Sequence, residues 1–266
     1  MTERMNIFIY SKLDGDSLTK KAMVEDSFIH EGFMITDNHK EANIIISIGN
    51  DGSFLQAVRK TGFRQDCLYA GISATEKHSL YCDFHYNNLY EITQAIRDSQ
   101  LEVRRYPLIE VTIDEHRPFY CLNEFSIRSN IIRTFVMDVI IDDRLFETFL
   151  GDGLIISTPT GSTAYNKSVK GAVVDPLLEC FQVTELASVN NNKYRTLGSS
   201  FILSGQRKLQ LNVHQDGNNF PLMAADNEAL GIRKVEDIHI KLSDKTIKTV
   251  KLKDNSFWEK VQRIFL

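Results

Sequence analysis

Short apolar runs and longer amphipathic segments alternate through the first hundred residues. Asn6-Ile-Phe-Ile-Tyr10 is a β-branched and aromatic run and predicts a strand. Ser17 to Gly32 carries a helical pattern, with Ser17 or Asp16 as its cap and Gly32 as its stop. Asn43-Ile-Ile-Ile-Ser-Ile48 is apolar on both faces, as a buried parallel strand is. Ser53 to Lys60 predicts a helix, Cys67 to Ile72 a strand, and Leu89, Ile92 and Ile96 one face of a further helix. Strand and helix in alternation imply a parallel sheet covered by helices.

From about Tyr106 the period changes. Leu108–Ile113, Phe119–Ile127, Phe135–Ile141 and Leu145–Phe149 are short strand-like runs. Asp142-Asp143 and Asp216-Gly217-Asn218 are predicted hairpin turns. Ile238–Leu242 and Ile247–Leu252 alternate strictly and predict two strands with one wet face each. The fold class expected is therefore α/β followed by β-rich, largely antiparallel sheet. The change falls near Leu101–Arg105, giving an α/β domain over residues 1–103 and a β-rich domain over 104–252. Phe257, Trp258, Val261, Ile264 and Phe265 share a helical face, so the tail at 253–266 predicts a helix docked on the first domain.

Composition narrows the partners. At 42% hydrophobic and 25% charged residues, the chain reads as a soluble globular protein, and 266 residues can bury a core without staples. A net charge of −4 argues against a dedicated nucleic-acid binder, which usually carries a basic stripe. Cys67, Cys82, Cys121 and Cys180 form no C-x-x-C pair, so core thiols in a reducing cytoplasm are expected. The apolar run Met5–Tyr10 is short and runs into Ser11, Lys12 and Asp14, so no signal peptide is expected, and no apolar stretch approaches the ~20 residues of a membrane span. The tail helix has too few basic residues for a membrane surface.

Four segments carry candidate chemistry. Gly49-Asn50-Asp51-Gly52-Ser53 follows a buried strand and opens a helix, where backbone N–H groups and the helix N-terminus favour an anion. A carboxylate there is out of place unless it binds a metal or accepts a proton; a tight turn with an Asx bond at Asp51 is the plainer alternative. Gly151-Asp152-Gly153 leads into Leu154–Ser157 and then Thr158-Pro-Thr-Gly-Ser-Thr-Ala-Tyr-Asn-Lys-Ser168, with six Ser or Thr in twelve positions. Such a turn can offer hydroxyls and N–H groups to an acceptor-rich ligand, with Ser162 or Thr163 capping a helix. Asn123-Glu124 interrupts an apolar strand pattern and needs hydrogen-bond partners, from a ligand or from within. Asp226, in Ala225-Asp226-Asn227, is either a ligand carboxylate or a solvated loop residue.

The run from Gly151 to Ser168 resembles the long signature of the NAD kinase family. Asn123-Glu124 matches that family's Asn-Glu pair. Gly49–Ser53 is similar to its Gly-Gly-Asp-Gly-Thr element, which diacylglycerol and sphingosine kinases share. The resemblance runs along essentially the whole chain, with three departures: Asn50 for glycine, Ser53 for threonine, and few glycines in Gly71–Tyr81. It implies a Rossmann-like N-terminal domain, a sandwich-like β-rich domain and a C-terminal helix returning to the first. It implies transfer of the terminal phosphate of ATP to the 2′-hydroxyl of the adenosine ribose of NAD, with Mg²⁺ or another divalent cation. Asp51 would be the catalytic base and a possible metal ligand. Gly49, Asn50, Gly52 and Ser53 would shape the phosphate cradle. Tyr81, Asn123, Glu124, Asp152, Thr160, Thr163, Ala164, Tyr165, Ser168 and Asp226 would contact the substrates. A homodimer or homotetramer is implied. Two rivals stand beside this reading: a lipid kinase sharing the Asp-Gly element, and a non-catalytic NAD(P)-binding sensor.

Overall fold

The computed structural model describes residues 5–75, 79–97, 101–131, 134–215, 220–232, 234–252 and 255–266. The chain divides into two compact units, Met1–Tyr106 with Ile247–Leu266, and Pro107–Thr246.

The first unit contains β1 (Asn6–Tyr10), α1 (Gly15–His30), β2 (Met34–Ile35), β3 (Ile44–Gly49), α2 (Asp51–Lys60), β4 (Leu68–Ser73), β5 (Cys82–His85) and α3 (Leu89–Arg97). Its strands are parallel in the order β2-β1-β3-β4, with β5 also paired to β4. Ile44, Ile45, Ile46 and Ile48 of β3 are all buried, which is why that strand carries almost no polar residue. Val24 and Phe28 of α1 pack with Ile7, Ile9, Ile46 and Ile72 in the core.

β6 (Leu101–Ile113) leads the chain into the second unit, which holds β7 (Phe119–Cys121), β8 (Glu124–Arg128), β9 (Phe135–Ile141), β10 (Arg144–Gly151), β11 (Gly153–Ser157), α4 (Tyr165–Ser168), β12 (Cys180–Leu186), β13 (Phe201–Ser204), β14 (Lys208–Val213), β15 (Leu222–Ala225) and β16 (Glu228–Ala229). β17 (Asp237–Leu252) leads back, and α5 (Phe257–Phe265) ends the chain in the first unit. In the second unit β10, β9, β14 and the start of β17 are antiparallel neighbours. A second antiparallel sheet has the order β13-β12-β11-β8-β15-β16. Phe125, Ile127, Leu154, Ile156 and Phe181 of that sheet share one core with Phe135, Met137, Phe149, Leu209 and Leu211 of the first. This is the α/β plus β-rich architecture the pattern predicts, with the tail helix in the α/β unit.

Several local expectations shift. Asp14, not Asp16 or Ser17, caps α1: its carboxylate accepts the Ser17 N–H at 2.9 Å, and the helix ends before Gly32 at φ +84. Helix α2 starts at Asp51 rather than Ser53 because Asn50 supplies the cap. The expected strand Phe119–Ile127 is broken at Leu122-Asn123, whose N–H groups bond the Asp226 side chain. The two strands expected at 238–252 are one, β17, in which the buried positions pass from even (Ile238, Ile240) to odd (Ser243, Ile247, Thr249), with Val250 buried as well. Asp142 and Asp143 form the expected hairpin turn, at φ 48 and 62. The turn expected at Asp216-Gly217-Asn218 lies outside the described residues. All four cysteines are buried free thiols. Among the described residues no helix is long and apolar enough to cross a membrane.

Candidate functional site

In the first unit, β3 delivers the chain to Gly49 at φ +142, where an added Cβ would fall 2.3 Å from Ser53 Oγ. Only glycine fits there. The Asn50 side chain then accepts the Ser53 N–H at 3.1 Å, so this donor is already met inside the protein. Asp51 is the first residue of α2, but it makes no Asx turn. Its carboxylate instead holds the segment Ser79–Tyr81. The Ser79 hydroxyl and the Tyr81 N–H (2.8 Å) donate to Oδ1, and the Leu80 N–H donates to Oδ2 at 2.9 Å. A carboxylate offers about four acceptor positions. Among the described residues three are filled, and the open one is on Oδ2. The Tyr81 ring is buried, stacked on Phe54 at 4.9 Å and edge-on to Tyr106 at 5.6 Å. The expected ligand contact at Tyr81 is thus a core position whose ring anchors the segment Asp51 holds.

In the second unit, Asn123 and Glu124 enter β8 and are both 7% exposed. Asp226, at φ 52, accepts N–H groups from Leu122 (3.2 Å), Asn123 (2.6 Å) and Glu124 (3.3 Å). Its carboxylate thus fixes the pair's main chain, and Asp226 also lines a cavity of this unit. Glu124 is different. Its Oε2 is buried and, among the described residues, accepts no hydrogen bond. Desolvation, then the charge of Asp226, pushes its carboxyl up to about 8, with the Tyr165 N–H opposing. A buried carboxyl oxygen with no partner among the described residues is a position that a ligand can fill.

The long Ser/Thr run folds into a 3-10 turn at Thr160–Thr163 followed by the single-turn helix α4. Neither Ser162 nor Thr163 caps that helix; Ala164 precedes it with no side-chain bond. Three of the six Ser and Thr hydroxyls from Ser157 to Ser168 donate to main-chain carbonyls, two of them within the turn itself, because a chain this irregular has no ladder to satisfy its carbonyls. Thr158 Oγ1 donates to the Leu122 carbonyl at 2.6 Å, Ser162 Oγ to Pro159 at 2.6 Å and Thr163 Oγ1 to Thr160 at 3.1 Å. Buried Asn166 donates to the Ser162 carbonyl and accepts from Thr184 at 2.6 Å. Ser157 Oγ and Thr160 Oγ1 are the buried hydroxyls of the run that meet no partner among the described residues.

Tyr165 forms part of two cavities of this unit. One, of about 820 Å³, is lined by Ser126, Arg128, Tyr165, Asp226 and Asn227 among others. The other, of about 410 Å³, brings in Asp152 and Ser168. Arg128 lines both and donates to the Tyr165 hydroxyl at 2.9 Å. Sequence reasoning missed Arg128, although strand alternation puts Glu124, Ser126 and Arg128 on one face of β8. It also missed Asn166 and Ser79, which had no local signal. Among the described residues no group of three or more His, Cys, Asp or Glu could hold a metal ion.

Comparison with known proteins accords with these features. Residues 122–252 match the family described as the ATP-NAD kinase C-terminal domain. NAD kinase 2 of Bacillus subtilis (strain 168) is 62% identical over 264 residues, covering 99% of each chain. NAD kinase 2 of Bacillus anthracis is 59% identical over 267 residues, covering 100% of each. In fold, yeast NADH kinase complexed with NADH superposes with a TM-score of 0.82 at 18% identity, covering 97% of this chain and 86% of that one. An NAD kinase from Archaeoglobus fulgidus in complex with ATP gives 0.74 at 22%, covering 98% and 100%.

Proposed function

The chain belongs to the NAD kinase family, and from that membership we propose a mechanism in which Asp51 is the proton acceptor and Glu124 the buried acceptor for the dinucleotide. The protein is an NAD kinase, converting NAD and ATP to NADP and ADP. Full-length identity of 62% to a curated NAD kinase carries that statement. The lipid-kinase and sensor readings give way to it.

Phosphoryl transfer asks for positioning and charge neutralisation more than covalent help. The 2′-hydroxyl oxygen forms a bond to the terminal phosphorus of ATP, the bond from that phosphorus to the bridging oxygen breaks, and ADP leaves. The hydroxyl proton passes to Asp51 Oδ2, where the open acceptor position lies, and from there to water. Gly49, Gly52 and the start of α2 face the donor phosphates. A divalent cation would supply charge neutralisation at the donor phosphates, and Asp51 is the carboxylate of this site that would hold it, as the alternative to accepting the proton. Glu124, Ser157 and Thr160 supply unmatched buried polar atoms for the ribose and amide groups of NAD. Asn123, Thr163, Ala164 and Tyr165 shape that surface, with Asp152 and Ser168 at its second cavity. The enzyme works in the cytoplasm as a homodimer or homotetramer, which sedimentation tests.

The direct assay supplies NAD and ATP with Mg²⁺ and reads NADP with an NADP-specific dehydrogenase. NADP should form, and an analogue lacking the 2′-hydroxyl should bind without turnover. Phosphate appearing at the 3′ position would overturn the assigned acceptor.

Glu124 adds a pH signature. Its folded-state value of about 8 stands above the ordinary carboxyl value. The neutral form is therefore favoured in the folded chain. That contribution to stability is full below the ordinary value of 4.5 and is lost as pH rises through about 8. A donor from NAD to Oε2 favours the anion, so binding drives a proton off Glu124. NAD affinity should rise from pH 6 to pH 8, with proton release detectable by calorimetry in buffers of different ionisation enthalpy. Glu124→Gln should abolish both. Equal pH slopes in the two proteins would detach Glu124 from the ligand.

A further inference from the structure

Helix α5 carries one residue at odds with its surroundings. Lys260 is 0% exposed, on a helix fixed at its start by a capping box between Ser256 and Glu259. Its ammonium donates to the Leu80 carbonyl at 2.7 Å and pairs with Asp83 Oδ1 at 2.8 Å. The Asp83 side chain is 2% exposed; Asn255 Nδ2 donates to it and Arg104 lies 4.0 Å away. Arg104 in turn donates to the Asn255 carbonyl at 2.7 Å and to the Tyr106 hydroxyl. Desolvation holds the Lys260 ammonium below the ordinary lysine range, with Asp83 working against it.

Burying an ion pair is a poor way to gain stability, since apolar side chains of similar volume do as well or better. The pair therefore needs another reason. Leu80 supplies it. Its N–H bonds Asp51 Oδ2, and its carbonyl bonds Lys260. The segment Ser79–Tyr81 is gripped from one side by the Asp51 carboxylate and from the other by the ammonium. Ser79 Oγ also accepts the Cys82 N–H at 3.2 Å, which continues the grip onto β5. Anything that lets this segment move also moves the three donors that orient Asp51.

We propose that Lys260 is a positioning residue for phosphoryl transfer: from the last helix of the chain it clamps the Leu80 carbonyl and thereby fixes the orientation of the Asp51 carboxylate. The inference rests on the reading of Asp51 as the proton acceptor. Lys260 touches neither substrate in this account. Its loss should therefore change turnover and leave NAD recognition, carried by Asn123 and Glu124, as it was.

The test uses the full chain with Lys260→Met and with Lys260→Met/Asp83→Asn, each alone and combined with Asp51→Asn. The second variant leaves no unpaired carboxylate, so it serves if the first fails to fold. Measured are kcat and KM for NAD and ATP, NAD affinity by calorimetry, Tm, and hydrogen exchange at the Leu80 and Tyr81 amides. Removing Lys260 should lower kcat per folded molecule by about 10–100-fold, the scale of a small misplacement of a reacting group. NAD affinity should hold, and exchange at the two amides should quicken. In the Asp51→Asn background most of the kcat loss should vanish, because the two residues act as one unit. A lowered Tm with unchanged kcat would make Lys260 merely structural and overturn the proposal. So would a loss of the same size with and without Asp51. A near-normal kcat for Asp51→Asn alone would instead remove the Asp51 reading, and this proposal with it.

Discussion

Replacing Asp51 by asparagine should lower kcat by about 10²–10⁴-fold, the usual contribution of a positioned general base, while NAD affinity changes little. The geometry makes this substitution less innocent than the sequence implies. Asn50, not Asp51, caps α2, so loss of a helix cap cannot account for the effect. An asparagine oxygen can still accept from the Ser79 hydroxyl and the Tyr81 N–H. Its amide nitrogen would then face the Leu80 N–H, donor against donor. The variant thus loses the proton acceptor and loosens the segment at once. Ser79→Ala separates the two, since it removes one donor and keeps the carboxylate. It should quicken exchange at Leu80 and Tyr81 yet cost far less turnover than Asp51→Asn. A Mg²⁺ titration adds a second cut. Recovery of rate at high Mg²⁺ marks Asp51 as chiefly a metal ligand. Near-normal kcat for Asp51→Asn at every Mg²⁺ concentration would leave the carboxylate with only its structural bonds.

That tension between holding and reacting shows where sequence reading stops. The strands and helices of the α/β unit were legible because their cores are local patterns: Ile44–Ile48 could hardly be anything but a buried strand. Family membership was legible because Gly151–Ser168 is long and contiguous. What escaped was reciprocity across distance. Asp226 lies about a hundred positions from the amides it holds, and only the fold reveals that its side chain is committed. Ser79 and Leu80 sit in a segment that lacks the family's usual glycines, yet they supply two of the three donors to Asp51. Lys260 reads as one polar residue on an amphipathic helix; nothing local says that it is fully buried. Hydroxyl density also misled in part. In Ser157–Ser168 it signals a turn that must satisfy its own carbonyls, with Ser157 and Thr160 left over for a ligand.

The same turn yields the second large effect. Gly161 has no unusual backbone angle to explain it; what it lacks is room. An added Cβ would sit 2.0 Å from the Asn123 carbonyl oxygen, 2.4 Å from its carbon and 2.6 Å from its Cα, all main-chain atoms. Asn123 cannot retreat freely. Its carbonyl accepts the Thr158 N–H at 2.8 Å and its own N–H is bonded to Asp226 at 2.6 Å. Nor can the turn retreat without cost. The Gly161 N–H donates to Thr158 Oγ1 at 3.0 Å, and Ser162 Oγ accepts from Val174 at 2.8 Å. Gly161→Ala should therefore destabilise by about 1–3 kcal/mol, lowering Tm by roughly 2–4 °C for each kcal/mol in a chain of this size. Because the strain falls on Asn123 and Glu124, the rise in Tm produced by saturating NAD should shrink as well. Gly15→Ala is the matched control: nothing lies within 4 Å of its added Cβ, and neither Tm nor the NAD shift should fall. A Gly161→Ala protein that melts normally and keeps its full NAD shift would mean that the turn does not press on the Asn123-Glu124 pair.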